Sequence, residues 1–465
     1  MGHRHRRGAV SEKGVNWKPA ASEGQFPGLF CGSDKSARHF REGTMILLKN
    51  CYYIATFNDA GDELQGQDIL IEDNTIKKIA PNIAPPEGTE VIDCSHHLVM
   101  PGMVNTHHHL YQILTRNLPG AQNAKLFDWL VYLYPVWAKI DEEGFYYSTF
   151  AGLMELLRTG ATLTTDHLYL YPAGLKNSDL VGIQFEAAEK VGIRFAPTRG
   201  SMTRGKSQGG LPPDEVVQSP DEVLADMERA IARYHDPDPL AMRKVILAPC
   251  SPFSVEETVM VQTAELARRY GVLLHTHLAE TRDEDEYCLQ KYGMRPLALM
   301  EKWGWLGEDV FFAHGIWFND EELRVLAETR TGVSHCPSSN MRLGSGIARV
   351  KEMLEMGIRV SLGVDGSASN DTSDMLGEVR QALLLQRVRY GPDALTARDA
   401  LKLATRGGAD MLGFPLLGKI EEGAGADIIA FDLDHPQFVG ALSDPVAAIV
   451  FTGYSHQVDL SIVNG

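Results

Sequence analysis

Histidine and acidic side chains recur in this sequence in patterns that could bind a metal ion and transfer protons. Four short motifs contain them: HHH at 107–109, HTHLAE at 275–280, AHG at 313–315 and VDG at 364–366. Alternate residues of an extended strand point to the same side, so the first and third imidazoles of HHH can contact one ion. Three imidazoles and one carboxylate are a common ligand set for a catalytic Zn²⁺ or similar divalent ion with a position left for water. The motifs therefore predict a catalytic metal site.

Each of these side chains also has an ordinary structural interpretation. Taken alone, His314 could be a hydrogen-bonded core residue, and Asp365, which precedes a glycine, could belong to a simple turn. Glu280 could be a solvated acid at the start of a helix. Their joint occurrence after separate predicted strands favours the metal site. His167 and His335 lie near predicted strand ends and stay undecided between the two interpretations.

The surrounding sequence predicts elements that could bring these motifs together. Amphipathic stretches favour helices over 145–158, 220–234, 256–270, 283–291 and 320–329. Eight apolar stretches that alternate with such helices predict strands over 98–106, 161–167, 194–199, 244–250, 272–278, 310–315, 332–336 and 359–364. This order predicts an α/β protein with a TIM-like (β/α)₈ barrel, whose active site lies at the C-terminal ends of the strands. An open doubly wound sheet is the alternative, but no G-x-G-x-x-G motif follows any of the strands.

The two ends of the chain predict a second, smaller domain. Strand-like segments within 45–97 and 416–465 are too short to be stable separately, so we expect them to form one small β-sandwich domain. The barrel with the predicted catalytic metal site is assigned to 98–415. The final pair, Asn464-Gly465, is a turn dipeptide that normally leads into another strand, and this suggests a truncated C-terminus.

Charge and composition exclude several classes of function. The formal net charge of −17 leaves no basic footprint for nucleic acid. No apolar run approaches the roughly 18 residues of a membrane span. The six scattered cysteines are typical of reduced thiols in a cytoplasmic protein. Residues 1–44, with eight basic and four acidic residues, lack a secretory signal and are interpreted as a leader or non-native extension before Met45.

Several segments together resemble the amidohydrolase superfamily. The similarity extends over nearly everything from Met45 onwards. It is carried by PGMVNTHHH at 101–109, HLAET at 277–281, AHG at 313–315, GVDGS at 363–367 and GKIEEGAGAD at 418–427. The combination of His-x-His with His-x-x-Glu, without an evident bridging lysine, resembles the mononuclear, cytosine-deaminase-like branch of the superfamily.

Three further segments resemble particular groups within that branch. They are HHHLYQ at 107–112, PTRGS at 197–201 and SHCPSSNMRL at 334–343, and they are most similar to deaminases of 8-oxoguanine. Aminohydrolases of hydroxyatrazine-type triazines and deaminases of isoxanthopterin share much of the pattern. The resemblance implies a small heteroaromatic substrate and a homo-oligomer.

The resemblance also implies a role for each side chain of the site. One divalent ion, zinc with iron as the alternative, would lower the pKa of water to about 7. Asp365 and His314 would accept the proton of that water, and Glu280 would protonate the ring nitrogen beside the attacked carbon. Asp365 would then pass a proton to the departing amine. The implied metal ligands are His107, His109, His277 and Asp365, and the implied catalytic residues are Glu280, His314 and Asp365.

Three more residues are candidates for binding the substrate. Gln112 offers a carbonyl and an amide that match the edge of a purine or pterin, and Arg199 can donate to a ring carbonyl. For both, an ordinary surface or loop hydrogen bond is an equal alternative. Trp129 could stack on a planar ring, but its aromatic-rich segment is equally consistent with core packing.

Three functions remain open from the sequence. The first is the hydrolytic deamination of 8-oxoguanine, or of a related purine or pterin, with release of ammonia. The second is the removal of an alkylamine from a hydroxyatrazine-type triazine. The third is a non-catalytic barrel that acts as a binding protein, which predicts the loss of ligands or of Glu280, whereas this sequence retains them all.

Overall fold

The computed structural model describes residues 45–452 and 457–465. The leader predicted over 1–44 lies outside the described residues. The strands are β1 (Met45–Cys51), β2 (Tyr53–Ala55), β3 (Glu63–Leu64), β4 (Gln67–Glu72), β5 (Thr75–Ala80), β6 (Glu90–Asp93), β7 (His97–Pro101), β8 (Met103–Asn105), β9 (Ala161–Leu168), β10 (Arg194–Ser201), β11 (Ile246–Pro249), β12 (Leu274–Leu278), β13 (Val310–His314), β14 (Gly332–His335), β15 (Val360–Leu362), β16 (Ile428–Asp432) and β17 (Leu460–Ile462).

Helices follow or flank most of these strands. They are α1 (Leu126–Trp137), α2 (Glu142–Arg158), α3 (Leu180–Val191), α4 (Pro220–Tyr234), α5 (Glu257–Tyr270), α6 (Arg282–Tyr292), α7 (Pro296–Lys302), α8 (Asp320–Thr329), α9 (Pro337–Arg342), α10 (Val350–Glu355), α11 (Met375–Tyr390), α12 (Ala397–Lys402), α13 (Gly408–Met411) and α14 (Pro445–Phe451). A π-helical turn, Leu403–Gly407, joins α12 to α13. Within the described ranges, no helix is both long and apolar enough to cross a bilayer.

The helix boundaries follow local capping chemistry. α4 begins after Ser219, whose hydroxyl accepts from the backbone N–H of Glu222, while the Glu222 carboxylate accepts from the backbone of Ser219. Asn319 and Glu322 form the same reciprocal pair at the start of α8. Such capping boxes satisfy N–H groups that have no partner within the helix. The helices predicted over 220–234 and 320–329 are confirmed with these boundaries.

Eight parallel strands, β8 to β15, form the central sheet in chain order. The sheet nearly closes on itself, because the last and first strands meet through hydrogen bonds beyond their ends. The N–H of Thr106 donates to the Leu362 carbonyl at 3.0 Å, and the N–H of Asp365 donates to the His107 carbonyl at 3.0 Å. The predicted (β/α)₈ barrel is thus confirmed, and its closing seam joins two of the predicted site segments.

The prediction of one strand over 98–106 is wrong, because this segment belongs to two sheets. β7 pairs antiparallel with β16, whereas β8 pairs parallel with β9. Gly102 separates them, and its N–H donates to the Asp427 carbonyl at 2.9 Å. A Cβ at Gly102 would lie 2.0 Å from Oγ1 of Thr162, so only glycine fits where the chain crosses into the barrel. The first barrel strand therefore starts at Met103 rather than at residue 98.

Segments from both ends of the chain form a small β-sandwich beside the barrel. One sheet has the order β5-β4-β1-β6 and the other has the order β17-β16-β7-β2-β3. The prediction that head and tail share a β-sandwich is confirmed by this arrangement. Apolar side chains of both sheets share one cluster, which includes Ile46, Leu48, Ile69, Ile71, Val99, Ile428 and Ala430.

The interior of the barrel changes character along its axis. At one end, apolar side chains from several barrel strands form a cluster with the segment that follows α13, and Phe414 and Leu417 of that segment belong to the cluster. Nearer the C-terminal ends of the strands, Thr106 makes hydroxyl–hydroxyl hydrogen bonds of 2.7 Å with both Ser334 and Ser361. The histidine motifs follow directly after this polar layer. The apolar end is thus filled, and the functional side chains are at the other end.

Candidate active site

His109 and His277 face each other across the C-terminal end of the barrel. The Nδ1 of His109 lies 2.9 Å from the carbonyl oxygen of His167, and the Nδ1 of His277 lies 2.7 Å from that of Cys250. A carbonyl only accepts, so each Nδ1 carries the proton and donates it. Each Nε2 therefore has a free lone pair, and the two Nε2 atoms are 3.1 Å apart.

His107 is fixed in the same tautomer by a different contact. Its Nδ1 lies 2.8 Å from Nε2 of His275, whose own Nδ1 lies 2.9 Å from the carbonyl oxygen of Phe311. Since His275 must donate to that carbonyl, its Nε2 accepts from His107. The Nε2 of His107 is buried without a hydrogen-bond partner among the described residues, and it lies 3.5 Å from Oδ1 of Asp365. The same Oδ1 lies 3.4 Å from Nε2 of His109.

The electrostatics of this group favour neutral imidazoles around one charged carboxylate. Burial lowers the pKa of His109 below its ordinary value and lowers those of His107 and His277 well below it. Burial alone would raise the pKa of Asp365, but the imidazoles of His107, His314 and His109 outweigh it and hold this pKa well below its ordinary value. Three nitrogen lone pairs and one carboxylate oxygen thus converge, and the partnerless Nε2 of His107 fits a divalent cation.

His167 also belongs to this cluster, and the sequence had left it undecided. Its ring stacks on that of His277 with centroids 4.6 Å apart. Its Nε2 donates to the carbonyl of Ala248 at 2.9 Å, and its Nδ1 has no partner among the described residues. Four imidazoles each offer one potential ligand atom, and these atoms lie within 4.8 Å of one another; the four residues are His107, His109, His167 and His277. His335 has two partnerless ring nitrogens in the described part of the chain.

Glu280 and His314 lie beside the cluster. Nε2 of His314 is 3.6 Å from Oε2 of Glu280 and 4.0 Å from Oδ2 of Asp365. Nδ1 of His314 donates to Oδ1 of Asn340 at 3.0 Å, so its Nε2 is free to accept a proton. Burial raises the pKa of Glu280 above its ordinary value; His314 opposes this increase and Asp365 adds to it. The pair combines a proton acceptor with a carboxyl group that tends to keep its proton.

The backbone turns sharply where two of these side chains are attached. His314 and Asp365 have φ angles of 71° and 64°, in the left-handed region that non-glycine residues rarely adopt. Each is followed by a glycine, Gly315 or Gly366. Such strain persists only where surrounding structure enforces it, and it often occurs at functional sites. Because of these turns, neither side chain follows the alternating in-and-out pattern of the strand that precedes it.

A pocket of about 430 Å³, part of it open to solvent, lies over the cluster. Gln112 and Trp129, two of the predicted substrate-binding residues, line it. Oε1 of Gln112 is buried without a partner among the described residues, and Nε1 of Trp129 donates to the Ala368 carbonyl at 3.3 Å. The complete lining is His109, Gln112, Leu126, Trp129, Leu130, Tyr134, Tyr169, Cys250, Phe253, His277, Glu280, His314, Leu343, Asp365 and Ser369.

Arg199 is not among the residues that line this pocket. Its Nε donates to Oδ2 of Asp226 at 2.6 Å, and its other nitrogens donate to Oε1 of Gln218 and to the carbonyl of Gly200. Its guanidinium also lies 3.9 Å from the ring centroid of Tyr171. Each of its three side-chain nitrogens thus donates within the protein, and its role in substrate binding stays a prediction.

Sequence reasoning missed two residues that orient this site. His275 stands two residues before His277, so the alternation that aligned His107 with His109 could have identified it. Asn340, on α9, reaches His314 from a different barrel unit, and no local sequence signal pointed to it.

Comparisons with known proteins agree with this geometry. Residues 98–465 match the amidohydrolase family. The 8-oxoguanine deaminase of Pseudomonas aeruginosa is 46% identical over 415 residues, which are 89% of this chain and 91% of that protein. The hydroxydechloroatrazine ethylaminohydrolase of Pseudomonas sp. strain ADP is 38% identical over 436 residues, or 91% of this chain and 90% of that protein.

Solved structures share the fold over most of the chain. The crystal structure of atrazine chlorohydrolase from Arthrobacter aurescens TC1, complexed with zinc, superimposes with a TM-score of 0.86. It is 33% identical and covers 90% of this chain and 94% of its own. A metal-containing barrel of the same architecture therefore exists at substantial sequence identity.

Proposed function

Because the chain belongs to the amidohydrolase family, we propose that it is a metal-dependent aminohydrolase that deaminates 8-oxoguanine. The reaction replaces the 2-amino group by an oxygen from water and yields urate and ammonia. The observation that carries this proposal is the convergence of three neutral imidazoles and the Asp365 carboxylate beside the protonatable Glu280. The choice of 8-oxoguanine is supported by the 46% identical relative that bears this activity in its name.

The ligand set we propose is His107, His109, His277 and Asp365, with one zinc ion and with iron as the alternative. A divalent ion held by these residues would lower the pKa of water towards about 7 and so would make hydroxide available at neutral pH. The zinc complex of the triazine-hydrolysing relative supports zinc as the first choice. An N₃O ligand set accepts either metal.

Proton transfer would be the task of three side chains. His314 and Asp365, with Nε2 and Oδ2 4.0 Å apart, can both accept a proton from water in the site. Burial raises the pKa of Glu280, so this side chain can donate its proton to the ring nitrogen next to the attacked carbon. That donation prevents negative charge from accumulating on the ring. The proton held by Asp365 can then pass to the departing amine.

The pocket offers groups suited to a planar heteroaromatic ring. Trp129 and Phe253 provide aromatic surface, and Oε1 of Gln112, which has no partner among the described residues, can accept an N–H of the substrate. Gln112 packs against Gly366: a Cβ added to Gly366 would lie 1.9 Å from Oε1 of Gln112. This contact places the Gln112 amide beside Asp365, at the end of the pocket where the reaction would occur.

A second candidate is the hydrolysis of an alkylamino-triazine. The 38% identical ethylaminohydrolase supports it, and the atrazine chlorohydrolase structure supports only the triazine as a substrate class. The two candidates differ in the leaving group, which is ammonia for 8-oxoguanine and ethylamine for a hydroxyatrazine-type ring. The homo-oligomeric state and the cytoplasmic location stay predictions.

The test is a product screen with metal-replete protein. We would measure ammonia and ethylamine released from 8-oxoguanine, guanine, isoxanthopterin, cytosine and hydroxyatrazine. The proposal predicts that kcat/KM is highest for 8-oxoguanine, with one ammonia and one urate formed per substrate. Ethylamine from hydroxyatrazine with no ammonia from 8-oxoguanine would contradict it and favour the second candidate.

A further inference from the structure

The wall of the pocket formed by α1 contains a hydroxyl group that no described residue satisfies. Tyr134 lines the pocket, its side chain is buried, and its hydroxyl has no hydrogen-bond partner in the described ranges. We propose that Tyr134 is a specificity-determining residue that donates a hydrogen bond to the 8-carbonyl oxygen of an 8-oxopurine. This inference rests on the proposed function and extends it to the edge of the ring remote from the reacting carbon.

The position of Tyr134 follows from helical periodicity. Trp129 and Leu130 follow Leu126 by three and four residues, Tyr134 follows Leu130 by four, and all of these residues line the pocket. The intervening Tyr132 lies on the opposite face of α1 with 43% of its surface exposed. One face of α1 thus covers the pocket, and Tyr134 is the hydroxyl-bearing residue on that face.

The surroundings of the hydroxyl keep it available as a donor. Cys250, which directly follows β11, lines the same pocket. Burial, with Cys250 and Tyr111 adding to it, raises the pKa of Tyr134 well above its ordinary value. A buried hydroxyl without a partner is unfavourable, and binding sites commonly hold such groups ready for a ligand. The hydroxyl remains protonated and can donate to a carbonyl oxygen.

Two polar groups then recognise opposite ends of the substrate. The Gln112 amide packs against Gly366 beside Asp365, which assigns it to the ring that carries the reacting amino group. Tyr134 comes from α1, a different element, and lines the pocket together with Cys250. In 8-oxoguanine the 2-amino group and the 8-carbonyl lie at opposite ends of the fused rings. Guanine has a C–H in place of that carbonyl, and a triazine has no second ring at all.

The test compares Y134F with wild type on two substrates. We would measure kcat/KM for 8-oxoguanine and, for guanine, kcat/KM or its inhibition constant. Because only the hydroxyl is removed, we expect kcat/KM for 8-oxoguanine to fall about 10- to 100-fold, chiefly through KM, with the guanine value changed by less than about 2-fold. Y132F, on the exposed face of the same helix, is the matched control and should equal wild type. Metal content and thermal midpoint, measured on each variant, exclude misfolding.

Two results would overturn the inference and leave the proposed function intact. One is an unchanged kcat/KM for 8-oxoguanine in Y134F, and the other is an equal loss for both purines. If wild-type enzyme releases no ammonia from 8-oxoguanine, the proposed function fails, and the inference fails with it. Wild-type turnover therefore separates the two outcomes.

Discussion

The Nε2 atoms of His109 and His277 lie 3.1 Å apart, although the Nδ1 of each ring already donates to a backbone carbonyl. Two neutral imidazoles in this tautomer direct lone pairs at each other, which is repulsive unless a cation lies between or beside them. Burial also lowers the pKa of both rings, so a proton is disfavoured in that role. The backbone contacts thus shape this pair for a metal ion.

Replacing Glu280 separates metal binding from proton donation. The variant E280Q keeps the size of the side chain but removes the proton that would go to the ring nitrogen. We expect full metal content and a loss of kcat of about 10²- to 10⁴-fold for the preferred substrate. Metal analysis and steady-state kinetics would measure the two effects. Near-full kcat would refute the assignment of Glu280 as the acid.

His275 should control the metal affinity of His107 without binding the ion. Its Nε2 accepts from Nδ1 of His107 at 2.8 Å, which keeps the Nε2 of His107 free for a metal. We expect H275L to weaken metal affinity by about 10- to 100-fold. H275Q, whose amide can both accept and donate, should retain more of the metal affinity than H275L. H435Q, a substitution at an exposed histidine, should retain the full metal affinity of wild type.

Chelator competition would give the metal dissociation constants of these variants. Equal affinities for H275L and wild type would contradict the role assigned to His275. A loss that H275Q fails to reduce would mean that packing, rather than hydrogen bonding, is what His275 contributes.

Asn340 should hold His314 in its productive tautomer. The Oδ1 of Asn340 accepts from Nδ1 of His314 at 3.0 Å. Without this acceptor the imidazole can rotate or change tautomer, so we expect N340A to lower kcat by about 10- to 100-fold with little change in metal content. Steady-state kinetics with parallel metal analysis would check this. A purely KM-based effect would instead indicate that Asn340 shapes the substrate pocket.

Stability should fall with rising pH in part because of Glu378. Burial raises the pKa of this carboxyl group to about 8, while its oxygens accept from the N–H of Ser338 at 3.2 Å and from Nδ2 of Asn370 at 2.6 Å. The folded state retains the proton over a range in which the unfolded chain has lost it. The stabilisation is therefore complete below the ordinary pKa of 4.5 and is lost as pH rises through about 8.

The variant E378Q cannot ionise and provides the comparison. Thermal midpoints between about pH 5 and about pH 8 should decline less steeply in E378Q than in wild type, at constant metal loading. Other buried carboxyl groups, such as Asp166, affect both proteins alike, so the difference between the slopes isolates Glu378. Parallel slopes would show that Glu378 is ionised in the folded protein.

The sequence predicted the barrel well because its signals are local. Strand and helix periodicity indicated all eight barrel strands, and the polar motifs at their ends contain residues that lie together, His107 with His277 and His107 with Asp365. It failed at Gly102, where the chain changes sheets within an uninterrupted apolar stretch. The strand pairings and the contact of Gly102 with Thr162 reveal that crossing, and contacts with distant residues have no local signal.

Side-chain partners across the barrel were the other limit. Arg199 appeared suited to a substrate carbonyl, yet Asp226 and Gln218 use its donors. Tyr134 is part of an aromatic stretch typical of a core, and only the three-dimensional structure shows that no described residue is a hydrogen-bond partner of its hydroxyl. Periodicity indicates which face of an element is buried, whereas hydrogen-bond partners depend on tertiary packing.

The most direct test of the whole account is the metal content of the purified protein after equilibration with zinc or iron. We predict about one divalent ion per chain in wild type and in E280Q, and almost none in the double variant H109L/H277L. Circular dichroism would establish that the double variant is folded. A wild-type protein that binds no ion, or a double variant that binds as much as wild type, would contradict the account.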